Sequence, residues 1–359
     1  MIQRAYINPE MMKWAREYAG FVEGYEEELP KQIWDKYESW ENGERVPTWN
    51  QLRSVSKKFN VPTAYFFMKS PPIVDSIPDL IDYRNINADY LYKRTSPNLI
   101  SNIRKSQSRR EIYAELSQEL GEDITPFAVP DLKRDKKLFS KYLRKTLDVQ
   151  KSWQGSSDYN FLNQLKEILN EKFGLLVFES KNVNVLEMRG LCIMHNKAPI
   201  ILLNGKDAVN ARIFTLFHEL THLLCGQSAI CGDDLNKSEE IFCNSVAGEF
   251  LVPLDDLSQN FDSLSGKSVN DLANTSGVSR EVILRRLLDG NFISTSDYDN
   301  HIGRLNIPNL KSKKSSGNYL NNQIKYNGRP YYSILLDAYD AGIISSLEFS
   351  RYADLYLGF

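Results

Sequence analysis

The chain has 359 residues, 42% of them hydrophobic and 25% charged, with a formal net charge of −2. That length implies two or three domains, and that composition excludes a wholly disordered chain. A charge balance this close to zero gives no global affinity for polyanions, so any nucleic-acid contact has to come from a local patch.

The N-terminal stretch "MIQRAYINPEMMKWAREYAG" has no apolar signal-peptide core, and apolar runs such as "PIILL" are too short to span a bilayer. A soluble cytoplasmic protein without membrane contact is expected. The four cysteines, Cys192, Cys225, Cys231 and Cys243, form no CxxC pair. In a reducing compartment they read as small apolar fillers rather than a disulfide or zinc framework.

Residues 1 to about 70 read as short helices. "PEMMKWAREYAG" starts on Pro9 and ends at Gly20, and "PKQIWDKYESWENGERVPT" is closed by Asn42-Gly43. "TWNQLRSVSKKFN" opens on Thr48 as N-cap and stops before Pro62. "PTAYFFM" is a last apolar turn before Pro71-Pro72. Residues 73 to about 150 form a helical connector with two basic stretches, 93–110 and 133–145, which read as solvated helix faces.

From 158 the character changes. "YNFLNQLKEILNEKFG" is an amphipathic helix ended by Gly174, and "LLVFES", "GLCIM" and "PIILL" are strands, the last two around the turn "HNKA". A long helix follows, from an Asp207 N-cap to Gly226 at C′, and a second runs from after Asn236 to before Pro253. This is α+β order, not repeated βαβ. Two helices around Ser276-Gly277, a linker over 311–318 and a helical tail from Tyr319 complete the chain.

The long helix contains "FTLFHELTHLL". Residues four apart lie on one helix face, so His218 and His222 can share one metal ion. Glu219 is turned by about 100° and reaches a water on that ion rather than the ion itself. This is the H-E-x-x-H arrangement of zinc hydrolases, two imidazole ligands and a general base. A third ligand is needed, and "NKSEEIFCNSVAGEFLVP" offers Glu240. Asn236 and Glu239 can close a capping box, leaving Glu240 free. Asn244, four residues on, is an amide placed to orient a ligand imidazole. Ser245, Ala247 and Gly248 are small enough for the two helices to approach. Glu249 is about half a turn from Glu240 and poorly placed. Arg189 and His195 are candidates for stabilising an oxyanion. The strands before the helix offer an edge for an extended peptide.

These segments, together with "MKWAREYAGF", "WENGERVPTWNQLRSVSKKFNVPTAYFFMKSPP", "DYRN" and "NGRPYYSILLDAYDAG", resemble the ImmA/IrrE family of zinc metallopeptidases in its form with an N-terminal Xre-type helix-turn-helix. The resemblance implies Zn2+ on His218, His222 and Glu240, with Glu219 catalytic. It also implies limited proteolysis of a transcriptional repressor, often encoded nearby in mobile elements, stress loci or toxin–antitoxin-like loci. The implied architecture is α+β and mostly helical. It comprises a helix-turn-helix-like bundle over 1–70, a helical connector over 71–150 and a small zincin-like metallopeptidase domain with a short β-sheet over 151–260. A helix-turn-helix-like module over 261–310 and a linker with a C-terminal helical tail over 311–359 follow.

The chain departs from that pattern at the helix-turn-helix. Glu26, Glu27, Glu28, Asp35, Glu38 and Glu41 lie where a DNA reader needs neutral or basic residues, and Pro30 interrupts the expected first helix of the pair. Lys31 and Lys36 offset only part of that charge. Ile33, Trp34, Tyr37 and Trp40 exceed what one small helix needs for packing, so protein contact or homodimerisation is expected here instead of DNA binding. The 268–290 pair has helix-turn-helix spacing too, with Arg280, Arg285 and Arg286 on its second helix, and reads as a packing module. The competing reading is a DNA-binding regulator or antitoxin-like protein with a structural or vestigial metal site. The intact Glu219 favours the peptidase, because a structural site needs no general base.

Overall fold

The computed structural model describes residues 3–21, 31–72, 96–149, 159–226, 237–261, 266–305 and 319–355. The Glu26–Glu28 run, Pro30, the "DYRN" segment, Cys231, Asn236 and the 311–318 linker lie outside them, as do the side chains of Lys31, Trp34 and Asp35. The fold is α+β and mostly helical. The described residues form two compact units, one up to Lys105 and one from Ser106 onward.

In the first unit α1 (Pro9–Tyr18), α2 (Lys31–Glu41) and α3 (Trp49–Phe59) are followed by a 3-10 turn, Thr63–Phe67. Local sequence sets each boundary. The Asn8 side chain caps α1, whose exit turns at Gly20 with φ +85°. Thr48 and Gln51 close a reciprocal capping box on α3. Tyr37 and Trp40 are 0% and 2% exposed and fill the unit's own core with Met12, Leu52 and Phe59. The Tyr37 hydroxyl donates to Met12 O at 2.8 Å. The apolar excess of this helix is therefore spent inside the bundle at those two positions. A half-buried Ile33 packs against the same core.

Helix α4 (Pro97–Glu119) leads into the second unit, followed by α5 (Lys136–Thr146) and α6 (Tyr159–Phe173). Three strands follow: β1 (Leu176–Ser180), β2 (Gly190–Ile193) and β3 (Ile200–Asn204). Their order is β1-β3-β2, with β1 parallel to β3 and β2 antiparallel to it. Every strand residue is buried, which explains continuous apolar runs in place of alternation. Helices α7 (Val209–Leu224) and α8 (Lys237–Leu251) pack side by side, with α7 also against the sheet and α8 against α5. Phe217 and Phe250 meet between α7 and α8 with ring centroids 4.1 Å apart.

Then come α9 (Leu254–Asn260), α10 (Gly266–Ser276), α11 (Arg280–Asp289), α12 (Thr295–Leu305), α13 (Tyr319–Asn327), α14 (Arg329–Asp340) and α15 (Ser346–Tyr352). No helix among the described residues is long and apolar enough to cross a membrane.

Several charged residues are engaged inside the fold. Arg286 is 1% exposed and pairs with Glu249, with its Nε donating to Val252 O at 2.9 Å. It is a buried strut between α11 and α8, unavailable to a phosphate. The small size of Gly248 serves the same strut, since a Cβ there would come 2.9 Å from Arg286 Cδ. The basic connector is partly consumed internally: Arg109, 7% exposed, pairs with Asp354 at 2.7 Å, and Arg144 reaches Phe250 O. Asp207 is not the cap of α7. The cap is Ala208, and Asp207 Oδ1 accepts from the Ala208 N–H at 2.9 Å, one residue too early to reach the first helical turn.

Candidate metal centre

Helix α7 is buried on nearly all sides, because it lies between the sheet and α8. Its two histidines are 1% and 4% exposed, and Glu219 is 4% exposed. The Nε2 atoms of His218 and His222 face each other at 3.1 Å. Glu240, in the first turn of α8, places Oε1 3.1 Å from His222 Nε2 and Oε2 3.3 Å from His218 Nε2. One ligand atom from each of the three residues falls in a group less than 4.8 Å across. Bond lengths to zinc of about 2.0–2.1 Å in a tetrahedron put neighbouring ligand atoms roughly 3.3 Å apart, close to these separations.

The donor inventory supports a cation. Asn244 Oδ1 lies 2.9 Å from His218 Nδ1. A carboxamide oxygen only accepts, so Nδ1 carries the proton and Nε2 presents a lone pair to the cluster. Glu240 Oε2 is buried without a hydrogen-bond partner. Burial alone would raise the Glu240 carboxyl; imidazoles protonated toward it outweigh that and lower it to about 2, and a cation held between the three groups would favour the carboxylate in the same way. Two imidazole nitrogens and a carboxylate directed at one point fit a divalent transition metal.

Glu219 sits apart from that triangle, on the side of α7 that meets β2. A Cβ on Gly190, the first residue of β2, would overlap the Thr215 methyl and lie 3.1 Å from Glu219 Oε1. Glycine thus lets the strand's main chain run directly beside this carboxylate. The Cys243 thiol, one turn after Glu240, feels both Glu219 and Glu240, and burial pushes it well above the usual thiol range.

Other candidates fall elsewhere. The capping role expected of Glu239 with Asn236 lies outside the described residues, and the Glu239 carboxylate pairs with Arg134, whose guanidinium stacks 4.8 Å from the Phe242 ring. Arg189 faces Asp207 at 3.8 Å. Burial, helped by nearby Arg110, pushes His195 down to about 4, so its ring is neutral and its Nε2 has no hydrogen-bond partner. Sequence reasoning missed a second polar cluster on α7, in which Arg212 meets Glu179 of β1 at 2.5 Å and Lys166 of α6 meets the same carboxylate at 2.5 Å. No short-range pattern announces it.

No curated protein matches the chain in sequence. A transcriptional regulator of Mycobacterium tuberculosis is similar at 16% identity over 50% of this chain and 51% of that one, with a TM-score of 0.30. The chain therefore spans about half the length of that relative. Residues 170–288, which carry β1 to β3, α7 and α8, match the model of a peptidase family described as the IrrE N-terminal-like domain.

Proposed function

We propose that this protein is a zinc-dependent endopeptidase that cleaves a partner protein, a transcriptional repressor or a toxin–antitoxin-type regulator, inside the cell. The observation that carries the reading is the convergence of His218 Nε2, His222 Nε2 and an ionised Glu240 on one point. The match of residues 170–288 to a peptidase family supports it. His218, His222 and Glu240 would hold the ion, and Asn244 would fix the His218 tautomer. Zinc in that position supplies a Lewis acid for the scissile carbonyl and a water of lowered pKa.

The chain's own groups do the rest. Glu219, close to the ligands but not among them, takes the proton from the attacking water and passes it to the leaving amine. Strand β2 ends the sheet order, with β3 as its one strand neighbour among the described residues. An extended substrate adding to that edge would run beside Gly190 and so beside Glu219. The first unit, with its acidic Glu38 and Glu41, serves protein contact in this reading, and Glu41 is already engaged by Arg16 at 2.8 Å.

The test incubates the regulator encoded beside this gene with the wild-type chain and with Glu219→Gln. Wild type should cut it at a discrete site and stop when a chelator is added. Glu219→Gln should retain one zinc and its fold, with turnover lower by a factor on the order of 10²–10⁴. Undiminished cutting by that variant rules out the assigned base.

A further inference from the structure

Helix α7 carries more than the metal cluster. Arg212 and Glu219 are seven residues apart, which places them on one stripe of the helix about two turns apart. That stripe faces the sheet at both ends: Arg212 on Glu179 of β1, and Thr215 and Glu219 on Gly190 of β2. The Arg212 end is locked. Glu179 is 1% exposed and takes Arg212 Nη1 at 2.5 Å on Oε2, and Lys166 Nζ at 2.5 Å and the Tyr159 hydroxyl at 2.6 Å on Oε1. Rotating α7 about its axis would pull the guanidinium off a buried carboxylate, and leaving a buried charge unpaired is costly.

The lock is closed from the C-terminal end of the chain. The main-chain carbonyl of Lys325, on α13, accepts from Lys166 Nζ at 3.4 Å and from Tyr159 OH at 3.5 Å. The Lys325 ammonium lies 4.7 Å from the Tyr159 ring centroid. α13 packs along β1, the strand at the end of the sheet opposite β2. The approach is close: a Cβ on Gly328 would be 2.9 Å from Val177 O, and one on Gly205 would be 3.1 Å from the Tyr326 ring. Arg329 of α14 to Glu167 at 2.8 Å and Asp354, just after α15, to Arg109 at 2.7 Å hold the helices that follow. None of α13 to α15 lies in the 170–288 segment that matches the peptidase family.

We propose that Glu179 and Arg212 are positioning residues that couple the C-terminal helices to the metal centre, setting the rotation of α7 and through it the placement of His218, Glu219 and His222. The C-terminal helices are then a working part of the peptidase body. The proposal rests on the metal-site reading above. Coupling of this kind is reciprocal: if a docked α13 favours the metal-binding geometry, metal in the site must hold α13 more firmly.

The test is amide hydrogen exchange on the full chain with and without Zn2+, which reads local opening element by element. Zn2+ should slow exchange across Tyr319–Asn327 at least threefold in the wild type. Arg212→Lys should still bind one Zn2+ and lose that slowing. Tyr159→Phe, which removes the hydroxyl bonded to Glu179 and to the Lys325 carbonyl, should weaken it and stands in if Arg212→Lys does not fold. One bound Zn2+ with unchanged exchange in α13 overturns the coupling and leaves the metal reading intact. An unchanged slowing in both variants overturns the assignment to Glu179 and Arg212. Failure of the wild type to bind Zn2+ removes the metal reading and this proposal with it.

Discussion

Two buried polar clusters share helix α7, and they are out of balance in opposite directions. Around Glu179 donors outnumber acceptors: Lys166, Arg212 and Tyr159 converge on one carboxylate, and Arg212 Nε is left without a partner. Around Glu240 acceptors outnumber donors: two imidazole nitrogens face a carboxylate, the His218 proton is committed to Asn244, and Glu240 Oε2 is left without a partner. Both carboxylates are largely withdrawn from water, Glu179 fully and Glu240 with its side chain 13% exposed, and burial alone assigns neither a role. The sign of the imbalance does. Surplus donors around an ion pair make a strut, with desolvation pushing the Lys166 ammonium below its ordinary range. Surplus lone pairs around an anion call for a cation.

The largest expected effect is on metal content. His222→Ala and Glu240→Ala should each drop zinc from one per chain to near zero in elemental analysis. Glu239→Ala should keep it, because Arg134 holds that carboxylate. The reverse outcome for the two glutamates would place the third ligand one residue earlier and dissolve the contrast between the clusters. The strut is broken by Glu179→Gln. Two buried cations would then face a neutral amide, and urea unfolding should report a loss of about 3–5 kcal/mol. A loss under about 1 kcal/mol would mean that water reaches the cluster and that the strut is not a low-dielectric pair.

The histidine pair was legible because both partners lie on one helix, and Glu240 and Asn244 were legible for the same reason on the next. What sequence could not supply is pairing across the fold. Lys166 and Arg212 look like ordinary solvated charges on amphipathic helices. They become a strut only because β1 delivers Glu179 between them, 13 residues from one and 33 from the other. Arg286 shows the same limit: its helix pair reads as a packing module, which its burial fits, but the partner it packs on, Glu249, is one that only the fold supplies. Glycines were readable as helix stops, as at Gly174 and Gly226, where the backbone needs φ +61° and +72°. Gly190 was not, because its reason is a neighbour, Glu219, that only the sheet brings close.

That neighbour gives a sharper test. Gly190→Ala should push against Thr215 and Glu219, costing about 1–3 kcal/mol as overpacking. Zinc content should stay at one per chain, since the atoms nearest the added Cβ belong to Thr215 and Glu219 and not to a ligand, while peptide cleavage falls with the displaced base. Loss of zinc in this variant would tie β2 to the ligands themselves.

The smallest effect is expected from the cysteines, and it tests a second alternative composition of the metal centre. Cys225 follows His222 by three residues and Cys243 follows Glu240 by three, so each lies about one helical turn from a ligand. A thiol ligates as thiolate. Burial, opposed in part by Arg134, pushes the Cys225 thiol up to about 11, and burial raises Cys243 further. Both are free thiols, and Cys243 is fully buried. Replacing Cys225 and Cys231 with Ser and Cys243 with Ala should leave zinc at one per chain and its affinity unchanged within twofold. The Cys243 change should cost only about 1 kcal/mol in stability, as loss of a small buried group. A drop in zinc would bring thiolates into the ligand set, and two of them beside the histidines would release Glu240 and make a closed four-ligand structural site in place of an open hydrolytic one.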